Sequence, residues 1–209
     1  MTSSRYSILA AVAALLVLVH KPAMAVEEAE YEVIRKEGAI ELRDYAPSIV
    51  AETVVNGDFE DASSKAFRTL FKYIDGENKS RSKIAMTAPV SQEQSSQKIA
   101  MTAPVSQEAA GEGWVVSFMM PASFTMDTIP EPKDPSVTIR QRSAWRAASI
   151  RYSGFWSEKN YNEHLNELLT WLDEQGLRAT GPAVWARYNA PFTPWFMRRN
   201  EILIPIDIN

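Results

Sequence analysis

The chain has 209 residues, of which 45% are hydrophobic and 23% charged, with a formal net charge of −4 and no cysteine. That balance fits one folded domain and excludes a disordered or fibrous chain, while the missing cysteine excludes disulfide staples, a cysteine-linked lipid and any thiolate-held cluster. The mild acidity offers no basic stripe for phosphates, which excludes nucleic acid as a partner.

The first 25 residues, MTSSRYSILAAVAALLVLVHKPAMA, place Arg5 before an apolar run from Ile8 to Val19 and end on Ala23-Met24-Ala25. This is the pattern of a secretory signal peptide with an A-x-A cleavage site. The run is too short to cross a bilayer core of roughly 30 Å as a helix, and no later segment is apolar enough to try. The expectation is a signal peptide over 1–25 and a single domain over 26–209, exported to a periplasmic or secreted location. Removing the leader takes away Arg5 and Lys21 and no acid, so the formal charge moves from −4 to −6.

Between Tyr31 and Val55 the runs YEVIRK, AIELRDY and SIVAETVV are β-branched or alternate with period two, separated by Gly38 and Pro47. Each is expected to be a strand. In NGDFEDASSKAFRTLFKYIDGEN, Phe59, Ala62, Ala66, Phe67, Leu70, Phe71 and Ile74 recur at helical spacing. Asp58 stands where a cap belongs and Gly76 stops the pattern, so an amphipathic helix is expected.

Next the chain repeats itself: Lys83 to Glu93, KIAMTAPVSQE, reappears unchanged as Lys98 to Glu108. Ile84, Met86 and Ala88 alternate with Ala85, Thr87 and Pro89, as do their counterparts, so each copy is expected to be a strand ending at proline. The polar residues between them can turn the chain into a hairpin, which makes the repeat scaffold rather than site. GWVVSFMMP reads as a strand, and the proline-rich TIPEPKDPS, Thr128 to Ser136, as a connection with no core content.

The second half reuses this grammar, with strands at SVTIRQ and WRAASIRYS, a turn at Gly154-Phe155 and a helix from Ser157 to Gly176. Tyr161, Leu165, Leu168, Leu169 and Leu172 form its buried stripe, and AVWARYNA and EILIPI supply closing strands. Strand, helix, strand thus appears twice, which predicts an α+β domain of two related halves, each laying a helix on antiparallel strands that curve toward a barrel.

YEVIRKEGAIELRDYAPSIVAET, KIAMTAPV, WVVSFMMP, PEPKDPSVTI, YSGFWSE and RRNEILI occur in the order seen in the SOUL haem-binding protein family, which the chain resembles from Glu30 to Ile206. The resemblance implies a distorted antiparallel β-barrel with two flanking helices, of the SOUL or effector-binding-domain kind. It also implies non-covalent, reversible binding of haem or another porphyrin, without catalysis. Some members place a proposed axial histidine in the segment that reads IELRDY here, where this chain has Asp44, a poor haem ligand. Others hold haem in a shallow groove along the first helix and the loop before the last strand, through apolar contacts and basic side chains near the propionates.

Here those segments are KAFRTLFKY and NAPFTPWFMRRNE. At about 100° per residue, Phe67 and Phe71 border the helix's apolar face and Arg68 and Lys72 lie just beyond. The loop repeats the pairing, with Phe192, Trp195, Phe196 and Met197 running into Arg198 and Arg199. A flat apolar dianion suits both, so Phe67, Arg68, Phe71, Lys72, Phe192, Trp195, Met197, Arg198 and Arg199 are the candidate cofactor-binding residues. The bland alternative makes the phenylalanines core, the cations a solvated face and Trp195 a lid on the barrel. No metal ligand is expected. His164, the one histidine beyond the leader, sits at the boundary of the second helix's stripe, and a satisfied half-buried histidine is commoner than an iron ligand. Met86 and Met101 are likewise more often core filler.

Three functions fit: a haem or porphyrin carrier or buffer, which is preferred; an interaction module using the aromatic loop 192–197 on a protein or membrane surface; and a tetrapyrrole-modifying enzyme. Neither a G-x-S-x-G elbow nor a G-x-G-x-x-G loop is present.

Overall fold

The computed structural model describes residues 26–81, 96–111 and 113–207. The first copy of the repeated phrase, its pairing with the second, Met86 and the leader lie outside these residues.

The elements run β1 (Tyr31–Glu37), β2 (Ile40–Tyr45), β3 (Ser48–Asn56), α1 (Phe59–Ile74), β4 (Asn78–Lys79), β5 (Val105–Ala110), β6 (Gly113–Met119), β7 (Glu131–Pro132), β8 (Thr138–Arg142), β9 (Trp145–Tyr152), α2 (Glu158–Glu174), β10 (Val184–Arg187) and β11 (Asn200–Ile206). Nine strands form one antiparallel sheet in the order β1-β2-β9-β11-β10-β5-β6-β3-β8, and β4 pairs β7 apart from it. Only Ala46 and Pro47 join β2 to β3, and only Ser143 and Ala144 join β8 to β9, although each pair lies far apart in that order. Such short links force the sheet to curl until its distant strands approach, giving a half-barrel.

Alternation along each strand then separates two faces. The convex face carries Ile40, Ile150, Trp185 and Ile202 against Tyr161, Leu168 and Leu172 of α2. It also carries Ala51, Val116 and Phe118 against Ala66, Leu70 and Tyr73 of α1. Ser157 caps α2 by accepting from the Asn160 amide at 3.3 Å, whereas Asp58 occupies the cap position of α1 without a side-chain capping bond.

The concave face holds Tyr45, Ala147, Val184, Ala186 and Leu203, and beside them a buried ion network. Arg43 donates to Glu201 at 2.7 and 3.2 Å and to the Tyr45 hydroxyl at 3.0 Å, and Tyr188 and Arg199 donate to the same carboxylate at 2.9 Å each. Burial pushes the Glu201 carboxyl up, but these charge-assisted bonds more than reverse it and hold it below its ordinary value. Burial likewise raises the Tyr45 and Tyr188 hydroxyls, so both stay protonated, Tyr45 accepting from Arg43 and Tyr188 donating to Glu201.

Four expectations are corrected. The second copy of the repeat is not a strand ending at proline: residues 98–104 belong to no named strand, and β5 starts just after Pro104. Its burial does not alternate either, because Ile99, Thr102 and Ala103 are buried while Met101 faces out at 40% exposure. The stretch Thr128–Ser136 does contribute to the core, since Ile129 is 1% exposed under α1 and the Tyr73 hydroxyl donates to the Pro130 carbonyl at 2.8 Å. In α2, Leu169 is exposed, because the stripe follows Tyr161, Leu168 and Leu172.

Replacing Glu201 with Gln leaves Arg43 buried without its counter-charge and is expected to destabilise the fold by about 3 kcal/mol in urea denaturation. Because the folded-state pKa of Glu201 is lowered, its stabilisation is fully present above the ordinary value of 4.5 and drains away as pH falls below it. Stability of the parent should therefore fall more steeply than that of Glu201→Gln when both are acidified from pH 6 to pH 3.

Candidate functional site

Helical spacing sets α1 so that Ala66, Leu70 and Tyr73 are buried and the next positions round the helix form a rim. Phe67 lies half-buried with its ring 5.3 Å from Phe118, and Phe71 stacks on Phe67 at 5.9 Å while remaining 43% exposed. Arg68 and Lys72 are exposed beside them.

The second aromatic surface is the loop between β10 and β11. Phe192 is 89% exposed, and Trp195, Phe196 and Met197, in one turn of 3-10 helix, are all exposed. Trp195 stacks on Phe155 at 5.2 Å with Phe196 edge-on at 5.6 Å, and the Gly154 amide donates to the Trp195 carbonyl at 3.1 Å. Gly154 is at φ 127°, and a Cβ there would meet the Asn160 amide group at 2.6 Å. Only glycine fits the turn that presents Phe155 to the loop.

Adjacent arginines then diverge, because β11 begins here and successive side chains take opposite faces. Arg198 goes to the convex side, where it donates at 2.8 Å to both the Thr193 and Pro191 carbonyls and lies 4.3 Å over the Trp156 ring. Arg199 goes to the concave side and pairs with Glu201 and Glu28 at 2.9 and 2.7 Å. Its charge is already matched by two carboxylates, and it does not share a face with the other predicted groove residues.

What ties the helix to the loop is Arg187, the last residue of β10. Its guanidinium donates to the Ser63 hydroxyl on α1 and lies over both Trp185, at 4.6 Å, and Trp156, at 5.3 Å. Trp156 is thus contacted by two cations, one from β10 and one from the loop, and it donates to Asn200 at 2.8 Å. Arg187, Trp156 and Phe155 are the residues that sequence reasoning missed. The alternation in VWAR could have found the first, since it puts Trp185 and Arg187 on the same face.

His164 lies flat on Tyr152, centroids 4.0 Å apart, with Nδ1 2.8 Å from the Asn160 carbonyl. A carbonyl only accepts, so Nδ1 carries the hydrogen. Asp44 is held by Arg146 through bonds of 2.6 and 2.7 Å, which keep its carboxyl below the usual range.

A cavity of about 420 Å³ opens on the concave face, walled by Tyr45, Val50, Met119, Trp145 and Leu203, with Glu27, Glu28, Glu30 and Arg142 also in its lining. It lies on the opposite side of the sheet from the α1 rim and the aromatic loop.

A curled nine-stranded antiparallel sheet with two helices on its convex face defines an α+β half-barrel. Solved structures share it: the C-terminal domain of EcmrR superposes with a TM-score of 0.58 at 10% identity, covering 86% of this chain and 99% of that one. A hydrolase from Listeria innocua does so with a TM-score of 0.51 at 11% identity, covering 83% of this chain and 94% of that one. At such identities the likeness is one of fold. Residues 26–205 match the SOUL heme-binding protein family, and the chain belongs to it. Heme-binding protein 1 of Xenopus tropicalis is 28% identical over 169 residues, 80% of this chain and 84% of its own length. Heme-binding protein 2 of Homo sapiens is 28% identical over 173 residues, 78% of this chain and 80% of its own.

Arg198→Ala removes both side-chain bonds that hold the loop's carbonyls. Chymotryptic cleavage after Phe192, Trp195 or Phe196 is expected to accelerate relative to the parent under native conditions, with the global melting temperature little changed.

Proposed function

We propose that this protein is a non-catalytic, reversible haem or porphyrin binder, a carrier or buffer that works in an exported compartment. The observation that carries the reading is the pairing, on one face of the sheet, of exposed aromatic surface with two arginines that form no ion pair among the described residues. Phe67 and Phe71 on one side, and Phe155, Trp195 and Phe196 on the other, offer flat apolar contact. Arg187 and Arg198 lie beside the loop without an ion pair among the described residues, and Lys72 stands on the helix rim.

These residues fit a tetrapyrrole, an apolar plate edged by two carboxylates. The concave cavity fits it worse, because its lining sets Glu27, Glu28 and Glu30 against one cation, Arg142, which Glu108 already meets at 3.6 Å. Bound haem would bring an iron and two propionates; the protein's part is to stack on the plate, shield it from water and meet the carboxylates. The family membership and the names of the relatives support the choice of ligand, and the leader pattern supports export.

A second reading, a protein- or membrane-interaction module, is favoured by Phe192, which at 89% exposure is more open than a groove wall needs to be. Haem titration of the protein starting at Val26 separates the two. A carrier develops a shifted, saturable Soret band without consuming haem, whereas an interaction module leaves the spectrum of free haem unchanged. Mass spectrometry of the native protein tests export, with an N-terminus at Val26 expected and an intact Met1 in the cytoplasmic fraction counting against it.

Within this reading, Trp195→Ala should weaken haem at any salt concentration, while Lys72→Gln should weaken it most at low salt, because partly exposed ion pairs are screened. His164→Ala should leave affinity within about tenfold, or 1.4 kcal/mol, of the parent, since its ring serves packing against Tyr152. Soret titrations at 20 and 500 mM salt check all three.

A further inference from the structure

Arg187 is unusual among the arginines near the sheet's centre. Arg43 and Arg199 each find Glu201, whereas Arg187 has a single hydroxyl, that of Ser63, and no carboxylate partner among the described residues. Its Nε is buried and meets no acceptor.

Trp185 Nε1 and the Tyr152 hydroxyl are also buried and lie close enough for the indole N–H to act on the phenol oxygen, although no hydrogen bond of good geometry joins them among the described residues. The strand register brings the three together: Arg187 and Tyr152 both lie opposite Asn200, from either side of β11, and Trp185 is two residues from Arg187 on the same face. Buried polar groups in native proteins nearly always find partners, so an arginine Nε without an acceptor, beside a poorly aligned Trp–Tyr pair, calls for an explanation. Arg and Trp can only donate, and Tyr has a proton to give. Such a cluster is completed by an acceptor that need not donate, and the positive charge asks for a negative one. Gln107 Oε1, opposite Trp185 on β5, is buried there too; it and the Tyr152 oxygen can accept, but neither adds a negative charge.

Arg187 as a residue is partly exposed, although its Nε, Trp185 Nε1 and the Tyr152 hydroxyl are themselves buried. It lies at the junction between α1 and the aromatic loop, and it shares the Trp156 ring with Arg198. We propose that Arg187 is the carboxylate anchor of the groove, its guanidinium receiving one propionate of the tetrapyrrole, with the neighbouring Tyr152 hydroxyl as a second donor. This rests on the haem reading above. It moves the main anionic contact from Arg199, which the concave face retains, to a residue on the convex face.

Burial without a counter-charge pushes the Arg187 guanidinium down to about 10. It is still charged at neutral pH, so the ligand-free protein carries an uncompensated cation that an incoming carboxylate relieves. A residue kept for a ligand and a residue kept for the fold then behave oppositely on removal.

The test compares the parent with Arg187→Met and Arg187→Lys, titrating haem, iron-free protoporphyrin IX and haem dimethyl ester, and measuring melting temperatures without ligand. Arg187→Met should melt at or above the parent temperature and lose about tenfold in affinity for haem and protoporphyrin, an ion pair's share. Its affinity for the ester should be unchanged. Arg187→Lys should lose less, because it keeps the charge but not the planar fork; it carries the comparison if the Met variant folds poorly.

Sodium propionate should raise the parent's melting temperature above that in sodium chloride of equal ionic strength, and should not do so for Arg187→Met. If the variants keep the parent's ratio of acid to ester affinity, the anchor is refuted and Arg187 is a structural link between β10 and α1. If the parent itself shows no saturable Soret change, the haem reading fails. The anchor is then decided by the propionate response alone, and equal melting shifts in parent and variant refute it.

Discussion

The contact between Arg43 and Glu201 constrains most of what surrounds it. The two residues lie on β2 and β11, with β9 between them, so the guanidinium must cross a strand to reach its carboxylate. It can do so because β9 turns Ala147 and Ser149 toward the concave face, both fully buried and both small. A larger residue at either position would lift the side chain off the sheet. The pair, with Tyr45, Tyr188 and Arg199 gathered on the same carboxylate, fills the concave face with charge at the level where β11 begins. A buried pair of this kind adds little net stability compared with an apolar substitute, but it tolerates no slip in register, since a one-residue shift would strand each charge alone.

Fixing that register decides the chemistry of the opposite face. With Glu201 turned inward, Asn200 must turn outward, and its neighbours across the sheet, Tyr152 and Arg187, turn outward with it. On the concave face Arg43 and Arg199 meet the Glu201 carboxylate; on the convex face Arg146 meets Asp44, while Arg187 and Arg198 have no ion pair among the described residues. Arg198 and Arg199 show the separation between consecutive residues: one lies over Trp156 at the groove, the other is paired to Glu28 and Glu201 on the far side.

That alternation explains why the fold was legible in the sequence and the site only partly so. Strands and helices announced themselves through period-two and helical spacing, because each element buries one face against a large apolar surface. The aromatic rim of α1 followed from the same spacing. Where local pattern and tertiary setting disagree, the reading went astray. Residues 98–104 alternate as a strand should, yet Thr102 and Ala103 are both buried, because Thr102 donates to the Met119 carbonyl and the Ala103 amide to that of Glu27. Ile129 lies in a proline-rich stretch that looks like surface, but that stretch passes beneath α1. Arg199 adjoins Arg198 in sequence, and no sequence periodicity reveals which face of β11 has a carboxylate waiting. Arg187 was overlooked for the complementary reason: an arginine in a closing strand looks solvated until its Ser63, Trp156 and Trp185 contacts are seen.

Charge also separates the two places where a flat ligand could lie. The concave cavity has the better enclosure, with the Tyr45 and Trp145 rings stacked at 4.8 Å in its wall. In its lining Glu28 is paired with Arg199 and Arg142 with Glu108, which leaves Glu27 and Glu30 without an ion pair among the described residues and keeps the local field negative in a chain of net charge −4. A dianion entering there would lose hydration and gain repulsion. At the convex groove the same dianion loses less hydration, because the surface is open, and meets Arg198 and Lys72 on its way to the donors around Arg187. An open aromatic shelf with buried donors at one end holds a ligand through two separable contributions, stacking that is indifferent to salt and an ion pair that strengthens where water is excluded. Such a site releases its ligand readily when the carboxylates find another partner, which is the behaviour a carrier or buffer requires.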